Sequence, residues 1–341
     1  MILVLLDGIL RLALLLATLW GALALGHRLA LPRLGRWLVV GLWLLAGGVW
    51  LWLAWQGARL GPLAAMAVQM MALLAWWRRL TPAKHRDWAE DVAYLATGDV
   101  EGDRLTLHHV RHFDWQSPDK ARGGWERRVY DLHRLKAVDL FVSSWGRPGI
   151  AHVLVSFSFS GETPADDDFV AFSVEVRRER HERFSEIAGF FKQYELAIIA
   201  ADERDAVRLR SNVRGERVTL YHVTLSYEAR QELLLALVTA ANDLAREPRF
   251  YHTITANCTT LIFVMMRRII GGLPLDHRLL LSALLPGYIH DHGGLVPGHS
   301  LHELRRRGDV TERARQAGDA PDFSRRIRRG VPGWESLDRQ P

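Results

Sequence analysis

Cys258, His152 and Glu175 carry the side chains that covalent acyl transfer needs. A thiol forms the intermediate, an imidazole takes up and returns the proton, and a carboxylate holds the imidazole in place. Cys258 is the one cysteine among 341 residues, so it is either buried filler or a reactive thiol and joins no internal disulfide. Its setting supports the second reading. Asn257 is a good helix N-cap, and Gly271, Gly272 and Pro274 form a stop, which predicts a helix over 258–270 with Cys258 in its first turn. At that point the unpaired N–H groups and the helix dipole favour a thiolate and can donate to an oxyanion.

The base and its orienter must come from a hairpin. Residues 151–159, AHVLVSFSF, and 169–177, FVAFSVEVR, alternate like strands and flank the turn-rich SGETPADDD. If Phe159 faces Asp168, then Val155 faces Phe172 and His152 faces Glu175. Val153, Val155, Phe157 and Phe159 then share an apolar face with Val170, Phe172, Val174 and Val176. The other face carries His152, Ser156, Ser158, Ser173, Glu175 and Arg177. Opposed residues have Cβ atoms roughly 4.5 to 5.5 Å apart, within reach of an imidazole–carboxylate hydrogen bond.

Other residues compete for chemistry. His252, six positions before Cys258, is a rival base, although it reads better as a strand or loop residue. His290, Asp291 and His292 are successive, and successive side chains do not converge on one ion, so neither a metal nor another cofactor is expected. Arg177 and Arg208 suit either phosphate binding or ordinary ion pairs. Asn257-Cys258-Thr259 matches a glycosylation acceptor, a pattern too frequent by chance to use.

Around these residues the chain changes character sharply. Its mean hydropathy of -0.03 averages two unlike parts. Up to Trp77 the only charged side chains are Asp7, Arg11, Arg28, Arg33, Arg36 and Arg59, and eight of the 13 tryptophans lie there. Residues 37–56 have the length of about 20 apolar residues that a bilayer core requires, 62–77 form a shorter span, and 2–25 span wholly or from Leu12 onwards. The expected organisation is a membrane anchor of two or three helices over 1–80, a catalytic α+β domain over 81–290 and an Arg-rich extension over 291–341. The net charge of +6 owes much to nine arginines between Arg305 and Arg329. Beside an anchor these suit anionic lipid head groups, and no motif for nucleic acid appears. Arg28, Arg33 and Arg36 in one loop argue for a cytoplasmic loop and, with three spans, a cytoplasmic domain.

Between His85 and Pro286 the segments RDWAEDVAYL, VRHFDW, VYDL, IAHVLVSFSF, FSVEVRRE, YELAIIAADERDAVRLR and ANCTTLIF occur in order. With them the chain resembles the periplasmic domain of bacterial Lnb-type lipoprotein N-acyltransferases. The resemblance implies a permuted papain-like fold of NlpC type, in which the histidine strand precedes the cysteine helix and an antiparallel sheet packs against that helix. Lecithin:retinol acyltransferase is similar in layout and has its own Asn-Cys at the helix start, but NCTT lacks the Glu-His that follows there. By resemblance Asn257, Thr259 and Arg177 also shape the site. The implied reaction moves an acyl chain from membrane phospholipid through a Cys258 thioester to the N-terminal amine of a diacylglyceryl lipoprotein. The implied location is the bacterial inner membrane with a periplasmic domain, against the vote of the Arg28, Arg33 and Arg36 loop. Two alternatives stand beside it: a thiol hydrolase (amidase, peptidase or phospholipase) with the same residues, and a non-enzymatic membrane-anchored binding module.

Overall fold

The computed structural model describes residues 2–163 and 166–335. Pro164 and Ala165 of the hairpin turn and residues 336–341 of the expected extension lie outside the described residues. The chain divides into two units, Met1–Ala83 with Phe184–Tyr194, and Lys84–Arg183 with Glu195–Pro341.

The first unit holds α1 (Ile2–Arg28), α2 (Arg33–Trp55) and α3 (Leu60–Arg79), each long and apolar enough to cross a membrane. α1 runs unbroken from Ile2, although Asp7 and Arg11 sit in its first turns. Both charges are accommodated at one end of the bundle. Asp7 accepts from Arg59 Nε and Nη2 at 2.6 and 3.1 Å, and Arg11 lies 4.6 Å over the Trp55 ring. Small residues let the helices approach: a Cβ on Gly21 would lie 2.2 Å from Trp43, and one on Gly47 2.3 Å from Thr18. Trp43 Nε1 also donates to the Thr18 carbonyl at 2.9 Å. The segment Phe184–Tyr194 belongs to this unit through Phe191, which meets Trp20, His27 and Trp77, and through Lys192, whose ammonium donates to the Trp77 carbonyl at 2.9 Å.

The second unit is built on an eight-stranded sheet. Its strands are β1 (Thr97–Glu101), β2 (Arg104–Ser117), β3 (Lys120–Asp131), β4 (Leu135–Ser144), β5 (His152–Phe159), β6 (Asp168–Arg177), β7 (Glu195–Ala201) and β8 (Arg217–Val223). The order is β1-β2-β7-β6-β5-β4-β8, with β3 also paired to β2. The expected all-antiparallel sheet is corrected at one place: β2 and β7 run parallel, Val110 beside Ala200 and Arg111 beside Ala201, so the sheet is mixed. β2 and β7 are not consecutive in the chain, so no hairpin forces them antiparallel, whereas β7 runs antiparallel to β6. The β5–β6 hairpin has the register read from its alternation, with Phe159 opposite Asp168 and Val155 opposite Phe172.

Two longer helices, α5 (Tyr227–Arg246) and α6 (Cys258–Ile270), join the sheet in one core. Ser226 caps α5 by accepting from the Ala229 N–H, and its Leu233, Leu234, Leu237, Val238, Ala241 and Leu244 form the inward stripe. Between β7 and β8 come α4 (Glu203–Arg208) and a π-helical turn, Leu209–Val213. After α6 follow α7 (Leu285–Asp291), α8 (Leu301–Gly308), α9 (Thr311–Ala317) and α10 (Phe323–Arg328). The basic C-terminal region is thus folded into the core through Ala314, Phe323, Ile327 and Trp334. Arg328 is fully buried and pairs with Asp139 and Glu203 at 2.8 and 2.6 Å.

Candidate active site

Asn257 places Cys258 by closing the start of α6. Its side-chain oxygen accepts from the Thr259 and Thr260 N–H groups, each at 2.9 Å, while the Thr260 hydroxyl accepts from the Asn257 N–H at 3.1 Å. This capping box fixes the first turn and is worth about 1 kcal/mol. It also narrows the oxyanion expectation. The Thr259 and Thr260 donors are engaged by the cap, which leaves the Cys258 N–H itself as the helix-start donor that the cap does not use.

His152, the first residue of β5, interacts with the Cys258 thiol, and each shifts the protonation of the other. Its Nε2 lies 2.7 Å from Ser173 Oγ and 3.1 Å from Glu175 Oε1. The Ser173 hydroxyl donates to Glu175 Oε1 at 2.6 Å, so it accepts from the Nε2–H. An ionised carboxylate only accepts, and the network therefore assigns a proton to Nε2.

Electrostatics reinforce this assignment. Burial pushes the Cys258 pKa up, but the hydrogen bond and charge of His152, with the Val153 N–H, bring it below the ordinary thiol value. Burial and the charge of Arg210 oppose protonation of His152, while Glu175 and Cys258 favour it, and its pKa lies above the ordinary imidazole value. Glu175 is disfavoured as an anion by burial, yet His152, Arg210 and Ser173 hold it well below the usual carboxylate range. A thiolate beside an imidazolium is the form these shifts favour.

Two members of the network were not singled out in the sequence. Ser173 was visible on the polar face of the hairpin, but a serine two residues from a glutamate is too common to stand out. Arg210 donates to Glu175 Oε1 at 3.2 Å and to Glu216 Oε2 at 3.3 Å. It comes from the π-helical turn, whose irregular winding no hydrophobic period announces. The turn is set in place by a latch within the VRHFDW and ADERDAVRLR segments. There Arg111 donates twice to Asp205, at 2.8 and 2.9 Å, and Trp115 Nε1 donates to the same carboxylate at 2.7 Å.

Of the remaining candidates, all but Thr259 make their contacts away from the thiol. Thr259 stays close, its Oγ1 4.0 Å from Cys258 Sγ. Arg177 donates to the Val92 and Ala93 carbonyls at 3.1 and 2.6 Å and lies 4.5 Å over the Trp88 ring; this burial pushes its pKa down to about 10. It fixes the turn at Glu90–Val92. His252 Nδ1 accepts from the Ile254 and Thr255 N–H groups and stabilises its own turn. Arg208 pairs with Asp114 at 2.9 Å. His290 and His292 bind the carbonyls of His299 and Tyr288, and among the described residues no three His, Cys, Asp or Glu side chains group as metal ligands.

Fold and site together define a mixed-sheet α+β domain with a cysteine at a capped helix start, in a chain with three helices of membrane-spanning length. Residues 122–285 match the family model of the Lnb N-terminal periplasmic domain, and the chain carries a domain of that family. No curated protein and no solved structure matches the chain. A periplasmic-domain family behind three apolar helices makes this a membrane-anchored periplasmic domain. The Arg28, Arg33 and Arg36 loop, at the same end of the three crossings as the exit of α3, then lies on the side opposite to its charge preference.

Proposed function

We propose that this chain is a lipoprotein N-acyltransferase of the bacterial inner membrane, working through Cys258, His152 and Glu175 in a permuted papain-like site. The observation that carries the reading is a cysteine at a capped helix start whose thiol is coupled to His152, with His152 Nε2 held by Ser173 and Glu175. The chain order supports the permutation, since the histidine strand precedes the cysteine helix.

In the proposed cycle the Cys258 thiolate attacks an ester carbonyl of a phospholipid, forming a C–S bond. The tetrahedral oxyanion accepts from the Cys258 N–H. As the C–O bond breaks, the His152 imidazolium gives its proton to the departing alkoxide, leaving a lysophospholipid and an acyl thioester. The N-terminal amine of a diacylglyceryl lipoprotein then attacks the thioester carbonyl; the C–N bond forms, His152 takes the amine proton, and the C–S bond breaks to restore the thiolate. Glu175 and Ser173 keep the ring in the tautomer that both steps use.

The test is mass spectrometry of the full-length protein with phospholipid vesicles, followed by an amine acceptor peptide. An acyl adduct on Cys258 that moves to the amine is expected. Absence of the adduct overturns the reading, and an adduct that yields only free fatty acid identifies a thiol hydrolase instead.

A further inference from the structure

α6 has a second face beyond Cys258. Thr259, Met266 and Ile270 form one wall of a cavity whose other walls include Val155 of β5, Leu233 of α5 and Tyr288 of α7. Its accessible void is about 120 Å³. One end of the cavity lies near the nucleophile: Thr259, which lines it, follows Cys258 in the chain and has its Oγ1 4.0 Å from Cys258 Sγ. From Thr259 to Ile270 the helix rises roughly 16 Å at about 1.5 Å per residue. An extended chain of about a dozen carbons, with bonds of about 1.5 Å, covers a similar span.

The polar members of the wall are already engaged. The Asp139 carboxylate takes hydrogen bonds from Trp334 and Arg328 and meets His222 at 2.9 Å, and His292 Nδ1 lies 2.8 Å from the Tyr288 carbonyl. Apart from Thr259 at the thiol end, the rest is mainly aliphatic and aromatic, so the cavity recognises apolar length rather than a polar group. Ile270 is half exposed and gives the far end an opening.

We infer that this cavity holds the hydrocarbon chain of the Cys258 acyl group, running along α6 from the sulfur towards Ile270. The inference rests on the acyl-transfer reading for its biological occupant, but its geometry is testable without an acyl donor. N-alkyl iodoacetamides label the thiolate by forming a C–S bond and releasing iodide, and each methylene that enters an apolar cavity favours capture. In full-length protein the dodecyl reagent is expected to label Cys258 at least about tenfold faster than the ethyl reagent. Met266→Trp, which fills the cavity part way along, should remove that preference and leave ethyl labelling unchanged, while micelle partitioning of the reagents stays the same. Ile270→Trp, at an exposed position, carries the same test if Met266→Trp does not fold. Equal dodecyl and ethyl rates in the wild type, or a preference unchanged by both variants, would overturn the inference. A chain-length preference without any adduct from phospholipid sinks the acyltransferase reading alone; an adduct without the preference sinks the cavity alone.

Discussion

The Ser173 hydroxyl lies 2.7 Å from His152 Nε2, nearer than the Glu175 carboxylate at 3.1 Å. The imidazole is therefore held by two acceptors, one of them a hydroxyl that relays to the same carboxylate at 2.6 Å. Ser173→Ala removes one neutral hydrogen bond, worth about 1 kcal/mol, and leaves the direct contact. Glu175→Gln removes the charge from both and costs about 1.5–3 kcal/mol. Acylation rates should fall about fivefold in the first variant and about 10- to 100-fold in the second. A Ser173→Ala loss as large as that of Glu175→Gln would mean that the hydroxyl, not the carboxylate, orients the ring.

Cys258 makes no disulfide, and Asn257 caps its helix through atoms that do not include the thiol. Cys258→Ala should therefore lose acyl transfer by about a thousandfold or more while keeping a wild-type melting transition. Transfer at the wild-type rate by the alanine variant would exclude a thioester route.

The paired shifts of Cys258 and His152 set a pH window. The thiolate fraction rises with pH through the lowered Cys258 pKa, and the imidazolium that protonates the leaving group is lost as pH rises through the raised His152 pKa. Acylation should trace a bell with its acid limb on the acid side of ordinary thiols and its alkaline limb above ordinary imidazoles. In His152→Ala the hydrogen bond and charge disappear while burial remains, so the iodoacetamide labelling profile should move to higher pH. A profile that stays in place would remove His152 as the thiol's partner.

Arg210 acts through other residues, as a positioning group. Its charge disfavours the imidazolium of His152 and favours the Glu175 carboxylate. Arg210→Gln should carry the alkaline limb to still higher pH, whereas Arg210→Lys, which keeps the charge, should leave that limb near the wild type even if its geometry lowers the rate. A purely structural role would lower the melting temperature of the glutamine variant without moving the limb.

What could be read in the chain follows from what has a period. The β5–β6 alternation gave the register that sets His152 near Glu175, and Asn257 with the glycine stop gave the bounds of α6. β7 has no alternation because all seven of its residues are buried, so ELAIIAA carries no period-two signal. β3, by contrast, is exposed along most of its length and presents no apolar face to read. The π-helical turn and its Arg210 depend on the Arg111–Asp205 latch, a contact between residues 94 positions apart. In the C-terminal region, arginine counts could not separate Arg328, which is buried, from its exposed neighbours.

Arg328 neutralises two carboxylates, Asp139 at 1% exposure and Glu203 at 0%. Removing one partner of a buried ion pair leaves uncompensated charge, so Arg328→Met should destabilise the domain by about 3–5 kcal/mol. The pH dependence gives the prediction its sign. Burial alone would raise the Asp139 pKa, but Arg328 and His222 bring it below the ordinary value, so in the wild type Asp139 contributes stability that is present above the unfolded pKa of about 3.9 and lost as pH falls through the folded one. Without Arg328 the burial effect dominates, Asp139 takes up a proton at higher pH on folding, and acidification relieves part of the defect. Thermal melts of both proteins should therefore differ most near neutrality and converge towards acid pH. Asp139→Asn combined with Arg328→Met should recover stability relative to Arg328→Met alone. If the gap widened on acidification, the clamp would owe its strength to packing against Phe169 and Trp334, whose rings lie 4.2 and 4.9 Å from the guanidinium, rather than to charge.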